Sequence, residues 1–144
     1  MTLEFPNLTV SANGTLLSTK SVPFLAIKEK VLGKRYDLSI AFVSSTKAQK
    51  INIESRSKDY IPNTLSFSLD NSSGEIIMCM SAIKKQYREF DMNLDTYTIF
   101  LLIHSMLHLK GMEHGSTMER KEKQLLTFFT STPIKNETIH RSRH

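Results

Sequence analysis

Three of the chain's five histidines fall in one short stretch, His104-Ser-Met-Leu-His108-Leu-Lys-Gly111-Met-Glu-His114. His104 and His108 are spaced i, i+4. On a helix that is about 6 Å along the axis and about 40° around it, so both imidazoles can face one point. His114 follows six residues after His108, and a continued helix would carry it roughly 240° away. The third ring can join the pair only if the helix stops between them. Gly111 stands where a left-handed C-terminal cap would stop it and send the chain back. Three neutral imidazoles around an open fourth position make a catalytic-type zinc site. The competing reading, structural histidines packed around a core, fits the neighbours less well. Ile99, Phe100, Leu101, Leu102, Ile103, Met106, Leu107 and Leu109 make the segment apolar nearly all round, which predicts a central, buried helix. Burial keeps imidazole neutral, the form that binds metal. Imidazole ligands suit zinc and also accept nickel, copper or cobalt.

Each ligand's other ring nitrogen needs a partner, and Glu75 and Glu113 are the candidates. Cys79 falls mid-strand and reads as a buried thiol. His140 and His144 repeat the i, i+4 spacing without apolar context or a third partner, and read as solvated residues.

The elements that must hold this site follow from periodicity. Residues 2–10 read as one short, proline-interrupted edge strand, and SANG at 11–14 as a turn. A helix is predicted over 22–34, with Pro23 near its first turn and Gly33 near its end. Residues 37–44 alternate Leu38, Ile40 and Phe42 as a half-buried strand. A more polar helix runs from Ser45 to near Arg56. Residues 64–69 alternate Leu65, Phe67 and Leu69, a second clear strand. After the Asn71–Gly74 turn, 75–80 form a continuously apolar strand, interior to the sheet and hairpinned to the one before it. A short helix is expected over 81–90. Asn93 or Asp95 caps the histidine helix. Ser116 or Thr117 caps a last helix that buries Met118, Leu125, Phe128 and Phe129 and ends before Pro133. The sum is one α+β domain over residues 1–132, with a small mixed four-stranded sheet packed with helices around the histidine helix. Residues 133–144 read as a basic, disordered tail.

Length and composition agree with a single soluble domain. Of the residues, 40% are hydrophobic and 23% charged, ordinary values for a globular protein. A net charge of +5 and a pI near 9.4 favour a polyanionic partner such as nucleic acid. One cysteine rules out an intrachain disulfide and fits a reducing, cytoplasmic setting. The N-terminus lacks a secretory signal, and the apolar run at 99–109 is too short to span a bilayer.

Three blocks in fixed order, Arg56-Ser-Lys58-Asp59 leading to Thr64-Leu65-Ser66-Phe67, then Gly74-Glu75-Ile76, then the three-histidine motif, resemble the YbeY family of metal-dependent endoribonucleases and ribosomal RNA maturation factors. The family pattern reads roughly N-x-x-x-R-x-K-D-x-P-T-x-V-L-S-F, then G-D-I, then H-x-x-x-H-x-x-G-x-D-H. The resemblance runs from about residue 37 to 129, with Asn52 at the family asparagine. Ser57 replaces the usual Gly after the arginine, Asn63 stands before Thr64 with one residue more before Pro62, and Glu75 and Glu113 replace Asp. The segment between Met80 and His104 is shorter than usual.

The resemblance implies that Arg56 faces the metal cleft and is needed for function. Its permanently charged guanidinium can grip phosphate bidentately, and Lys58 could add a phosphate contact. The implied activity is zinc-dependent endonucleolytic cleavage of single-stranded RNA in ribosomal RNA processing and ribosome maturation. His104, His108 and His114 would hold one zinc or another divalent ion. Either a metal-activated water, with its pKa lowered to about 7, or the neighbouring 2′-hydroxyl would attack. RNA, and with it the ribosomal subunit or assembly proteins, are the implied partners; no membrane is. Lys47, Lys50, Lys84, Lys85 and Arg88 could line an RNA surface, and Tyr36, Tyr60 and Tyr87 could stack on bases. Two rivals stand beside this reading. One is a non-enzymatic RNA-binding assembly factor with a structural zinc. The other is a zinc peptidase or amidohydrolase, because the histidine spacing matches the metzincin motif. There a glutamate follows the first histidine as general base. Here that position is Ser105, whose hydroxyl holds its proton too tightly for the task.

Overall fold

The computed structural model describes residues 1–12 and 21–130. The basic tail, with His140 and His144, lies outside the described residues, as do residues 13 and 14 of the expected SANG turn. In chain order the elements are β1 (Thr2–Phe5), β2 (Leu8–Ala12), α1 (Phe24–Val31), β3 (Asp37–Phe42), α2 (Ser45–Arg56), β4 (Thr64–Asp70), β5 (Ser73–Met78), α3 (Met80–Gln86), α4 (Leu94–Leu109) and α5 (Ser116–Thr130). A single 3₁₀ turn, Tyr87–Phe90, follows α3.

The sheet has five strands in the order β1-β2-β3-β5-β4, one more than the sequence predicts. The extra strand comes from the N-terminus. Pro6 has no N–H for a ladder, and Asn7 takes the left-handed conformation at φ 62°. Proline followed by a left-handed asparagine makes a two-residue reversal. The single expected strand folds back on itself as an antiparallel β1–β2 hairpin, closed by the Phe5–Leu8 pair. β2, β3 and β5 run parallel, and β4 is antiparallel to β5 at the far edge. β5 is thus interior and hairpinned to β4, as its unbroken apolar run predicts.

Register decides what the sheet shows to the helices. Val10, Ile40, Ile76 and Ser66 pair across four strands, and Ala12, Phe42, Met78 and Thr64 form the next row. Paired residues share a face. The face that buries Val10, Ile40, Ile76 and Met78 therefore ends, on β4, in Thr64, Ser66 and Ser68. The apolar alternation of β4 points the other way: Leu65 is buried there, but Leu69 is 63% exposed.

α4 is the central element, packed against α1, α3, α5, β4 and β5. It is apolar nearly all round, and ten of its residues are buried. Asn93 caps it, its side chain accepting the Thr96 N–H at 2.8 Å. Gly74 sets how closely it meets the sheet. A Cβ there would lie 2.5 Å from the Tyr36 hydroxyl and 3.0 Å from Leu109 Cδ2, so only glycine lets the end of α4 settle on β5. On α5, Met118 and Leu125 are buried as expected, whereas Phe128 is exposed.

Candidate metal centre

α4 ends at Leu109, and Gly111 reverses the chain at φ 99°. The Gly111 N–H bonds to the His108 carbonyl at 2.9 Å, and the Met112 N–H to the Leu107 carbonyl at 3.0 Å. This pair of reversed bonds is a Schellman cap. It turns residues 112–114 back along the helix, and the His114 ring comes to 4.6 Å from that of His108 and 5.2 Å from that of His104, centroid to centroid. One ligand atom from each of the three rings lies within 4.8 Å of the others.

The protonation pattern follows from the partners. His108 donates its Nδ1–H to the Met112 carbonyl at 3.0 Å, a bond that the same cap creates. His104 donates its Nδ1–H to the Glu122 carboxylate on α5. Carbonyl and carboxylate only accept here, so both rings carry a proton on Nδ1, and in its neutral form each turns an Nε2 lone pair inward. The two Nε2 atoms then face each other across 3.2 Å. Either a shared proton or a metal cation between the two nitrogens would satisfy that separation. Tetrahedral zinc with N ligands at about 2.1 Å needs nitrogens about 3.4 Å apart, close to the separation present. The exposed His114 would supply the third nitrogen. The donor set fits a borderline-soft divalent ion. Burial, with His104 and His114 nearby, holds His108 below the usual imidazole range, although the Met112 carbonyl pulls the other way. It is therefore neutral, as a metal ligand must be.

The expected partners Glu75 and Glu113 do not fill that role for His104 and His108. Both are exposed, while Glu122 and a backbone carbonyl take the two Nδ1 protons. Glu122 is only 7% exposed. Its sequence signal is a charged residue on α5's buried stripe, between Met118 and Leu125.

The site opens into a cleft of about 570 Å³. Arg56, Thr64, Ser66 and Ser68 line it along with the three histidines. The polar row that ends the sheet on β4 is therefore one wall, and α4 is the other. Ser105, at the position of the metzincin glutamate, is 1% exposed and hydrogen-bonded to Thr64 Oγ1 at 2.8 Å. It ties α4 to β4 and does not act as a base.

Arg56 is the last residue of α2. Behind it, buried Asn52 donates to the Tyr60 carbonyl at 3.0 Å, and Gln49 to the Asp59 carbonyl at 2.6 Å. These bonds fold the 57–60 loop against α2 and fix where the helix delivers its arginine. Lys58 is exposed and is not among the residues lining the cleft, nor are Lys47, Lys50, Lys84, Lys85 and Arg88. Tyr36 is buried beneath Gly74, and Tyr60 and Tyr87 lie off the cleft. The aromatic rings that do line it are Phe90, Tyr97 and Phe100.

A family model described as endoribonuclease YbeY matches residues 11–129. The chain belongs to the YbeY family. Among curated relatives, the endoribonuclease YbeY of Campylobacter jejuni strain 81-176 is 32% identical over 122 residues, covering 79% of this chain and 90% of that protein. The endoribonuclease YbeY of Finegoldia magna is 31% identical over 114 residues, covering 71% of this chain and 74% of that protein. A Thermotoga maritima protein solved in solution shares the fold, with a TM-score of 0.60 at 23% identity over 83% of this chain and 87% of the other.

Membership of the YbeY family gives the departures noted in the sequence a physical reading. Where the family usually has glycine, Ser57 caps α2 at φ 57°, ψ 34°, a left-handed conformation that glycine adopts freely and serine does at a cost. The reversal that presents Arg56 is retained, with strain. No helix among the described residues is long and apolar enough to cross a membrane.

Proposed function

We propose that this YbeY-family chain is a metal-dependent endoribonuclease that cuts single-stranded RNA, with ribosomal RNA precursors as substrate, in the cytoplasm. One observation carries the reading. The His104 and His108 Nε2 atoms converge 3.2 Å apart with His114 beside them, both Nδ1 protons already committed, in the same cleft as Arg56. His104, His108 and His114 are the ligands, and zinc is the ion their chemistry suits best. When bound, the ion would lower the pKa of a coordinated water and polarise a phosphoryl oxygen.

The protein's own residues do the rest. Arg56 grips the scissile phosphate with a charge that pH does not remove and answers the negative charge that builds on it in the transition state. Lys58 adds a weaker phosphate contact beside the cleft. Glu122 and the Met112 carbonyl hold the His104 and His108 rings in the ligating tautomer. Thr64, Ser66 and Ser68 offer a hydroxyl-lined wall that suits a sugar–phosphate strand. The domain over residues 1–132 suffices for this activity. The nearly buried serine in place of the metzincin glutamate argues against peptidase chemistry.

The test pairs metal analysis of purified protein with RNA cleavage by wild type and His114→Ala. The expected result is one equivalent of ion and cleavage in wild type, and neither in a folded variant. Unfolding of His114→Ala would favour a structural ion and an assembly role. A 2′,3′-cyclic phosphate at the cut end identifies the 2′-hydroxyl as nucleophile; a 3′-hydroxyl end identifies water.

A further inference from the structure

The cleft has an aromatic side that neither metal binding nor phosphate gripping uses. Phe90, at the end of the 3₁₀ turn, is 51% exposed. It stacks on Tyr97 with ring centroids 4.9 Å apart and planes 16° from parallel. Tyr97 stacks in turn on Phe100 at 6.3 Å and 17°. Phe100 lies 6.1 Å from the His104 ring. Tyr97, Phe100 and His104 fall at i, i+3 and i+7 on α4, so one helix face aligns them. The result is a ladder of rings that starts at a candidate metal ligand and ends in a half-exposed ring on the cleft.

The ladder is held rigid. Tyr97 is 2% exposed and donates its hydroxyl to Gln86 Oε1 at 3.2 Å, while Asn63 donates to the same oxygen at 2.9 Å. Asn93 caps α4 just behind the turn that carries Phe90. A ring that merely covered core would have its outer face closed. This one borders the same cleft as Arg56 and the three histidines.

We propose that Phe90, backed by Tyr97, is a base-stacking subsite that seats one unpaired nucleobase of the bound strand, a few nucleotides along from the scissile phosphate. The inference rests on the endoribonuclease reading. A strand with its phosphate between Arg56 and the metal site must leave along the cleft, between the hydroxyl wall of β4 and the aromatic wall of α4. Sugar and phosphate match the first wall, and a base matches the second. Stacking uses the π face that every base has, so the subsite selects for single-stranded RNA without choosing a sequence. A paired base has no free face and cannot occupy it.

The experiment measures binding and cleavage separately. Short single-stranded RNAs, each with an abasic nucleotide at one position, are titrated into chelator-treated wild-type protein and followed by fluorescence anisotropy, and the same RNAs are incubated separately with metal-loaded protein to score cleavage. The expected result is a single position where losing the base weakens binding by about 5- to 150-fold, with milder effects elsewhere. Phe90→Ala should weaken binding of the intact RNA by a similar factor, Phe90→Trp should restore it, and the abasic position should cost Phe90→Ala nothing more. Uniform tolerance of abasic nucleotides, or wild-type affinity in Phe90→Ala, overturns the subsite. RNA that binds with this pattern but is never cut supports the subsite and refutes the nuclease reading. No RNA binding by wild type refutes both.

Discussion

Glu122 of α5 accepts the Nδ1–H of His104 of α4, and that bond joins the last helix of the domain to the first ligand of the candidate metal centre. α4 and α5 also pack together, and Met118 and Leu125 on either side of Glu122 are buried in the core, so the carboxylate is delivered by a hydrophobic helix face. The contact holds a proton on His104 Nδ1 and fixes the orientation of the ring. Glu122→Gln keeps the shape but loses the charge and can donate where an acceptor is needed. Its zinc affinity should fall about 10- to 100-fold with the fold retained. Competition against a chromophoric chelator measures this, and wild-type affinity would show that Glu122 is only packing.

Metal binding should also stabilise the fold, because a converged site exists only in the native state. Zinc at about 100 times its dissociation constant contributes about 2.7 kcal/mol, enough to raise the melting temperature by several degrees. A chelator should reverse the shift, and His108→Ala should show none of it. An equal shift in that variant would mean that the ion binds elsewhere.

Acid should dismantle the site in a defined window. The folded protein holds His108 below its ordinary 6.5, so the metal-free native state binds fewer protons there than the unfolded chain. The associated stability is complete above about pH 6.5 and is lost as pH falls from there through the folded value. Protons compete with the ion over the same range. Zinc affinity is therefore expected to be nearly level above about pH 6.5 and to fall as pH drops through the lowered His108 value. Affinity unchanged down to pH 5 would contradict the assigned ligands.

The two left-handed caps should respond in opposite ways. Ser57→Gly relieves a strained φ and should stabilise the protein by about 0.5–1 kcal/mol, read from the urea midpoint. Gly111→Ala puts a Cβ at φ 99° and should cost about 1–2 kcal/mol, with a further loss of zinc affinity as the Met112 carbonyl and His114 shift. Stability and affinity falling together in Gly111→Ala is the diagnostic outcome; loss of stability alone would detach the cap from the metal centre.

Arg56 is exposed and has no packing role to lose, so changing it tests chemistry more than folding. Arg56→Lys keeps the charge but not the planar fork. Cleavage should fall about 100-fold or more with melting temperature and zinc content unchanged. A lysine variant with full activity would make Arg56 a simple counter-charge.

Sequence alone was enough for what local spacing controls. The i, i+4 histidines, the glycine three residues on and the apolar surroundings determine a buried helix ending in a reversal, and the Schellman cap at Gly111 is that reversal. The apolar run of β5 marked it as interior, and the three motif blocks in order were enough to name the family. Tertiary structure decided whatever depends on which surfaces meet. Glu122 lies eighteen positions from His104, and only the α4–α5 packing makes it the partner that Glu75 and Glu113 are not. The alternation of β4 said that one face is apolar but not which face meets α4. Register against β5 turns Thr64, Ser66 and Ser68 toward the cleft, because a period of two gives both faces equal claim until a neighbour chooses. The left-handed Asn7 split one expected strand into two, since a turn of two residues leaves almost no trace in periodicity. Phe90 became notable only when the fold set its half-exposed ring on the same cleft as Arg56 and the histidines, a juxtaposition that no spacing along the chain encodes.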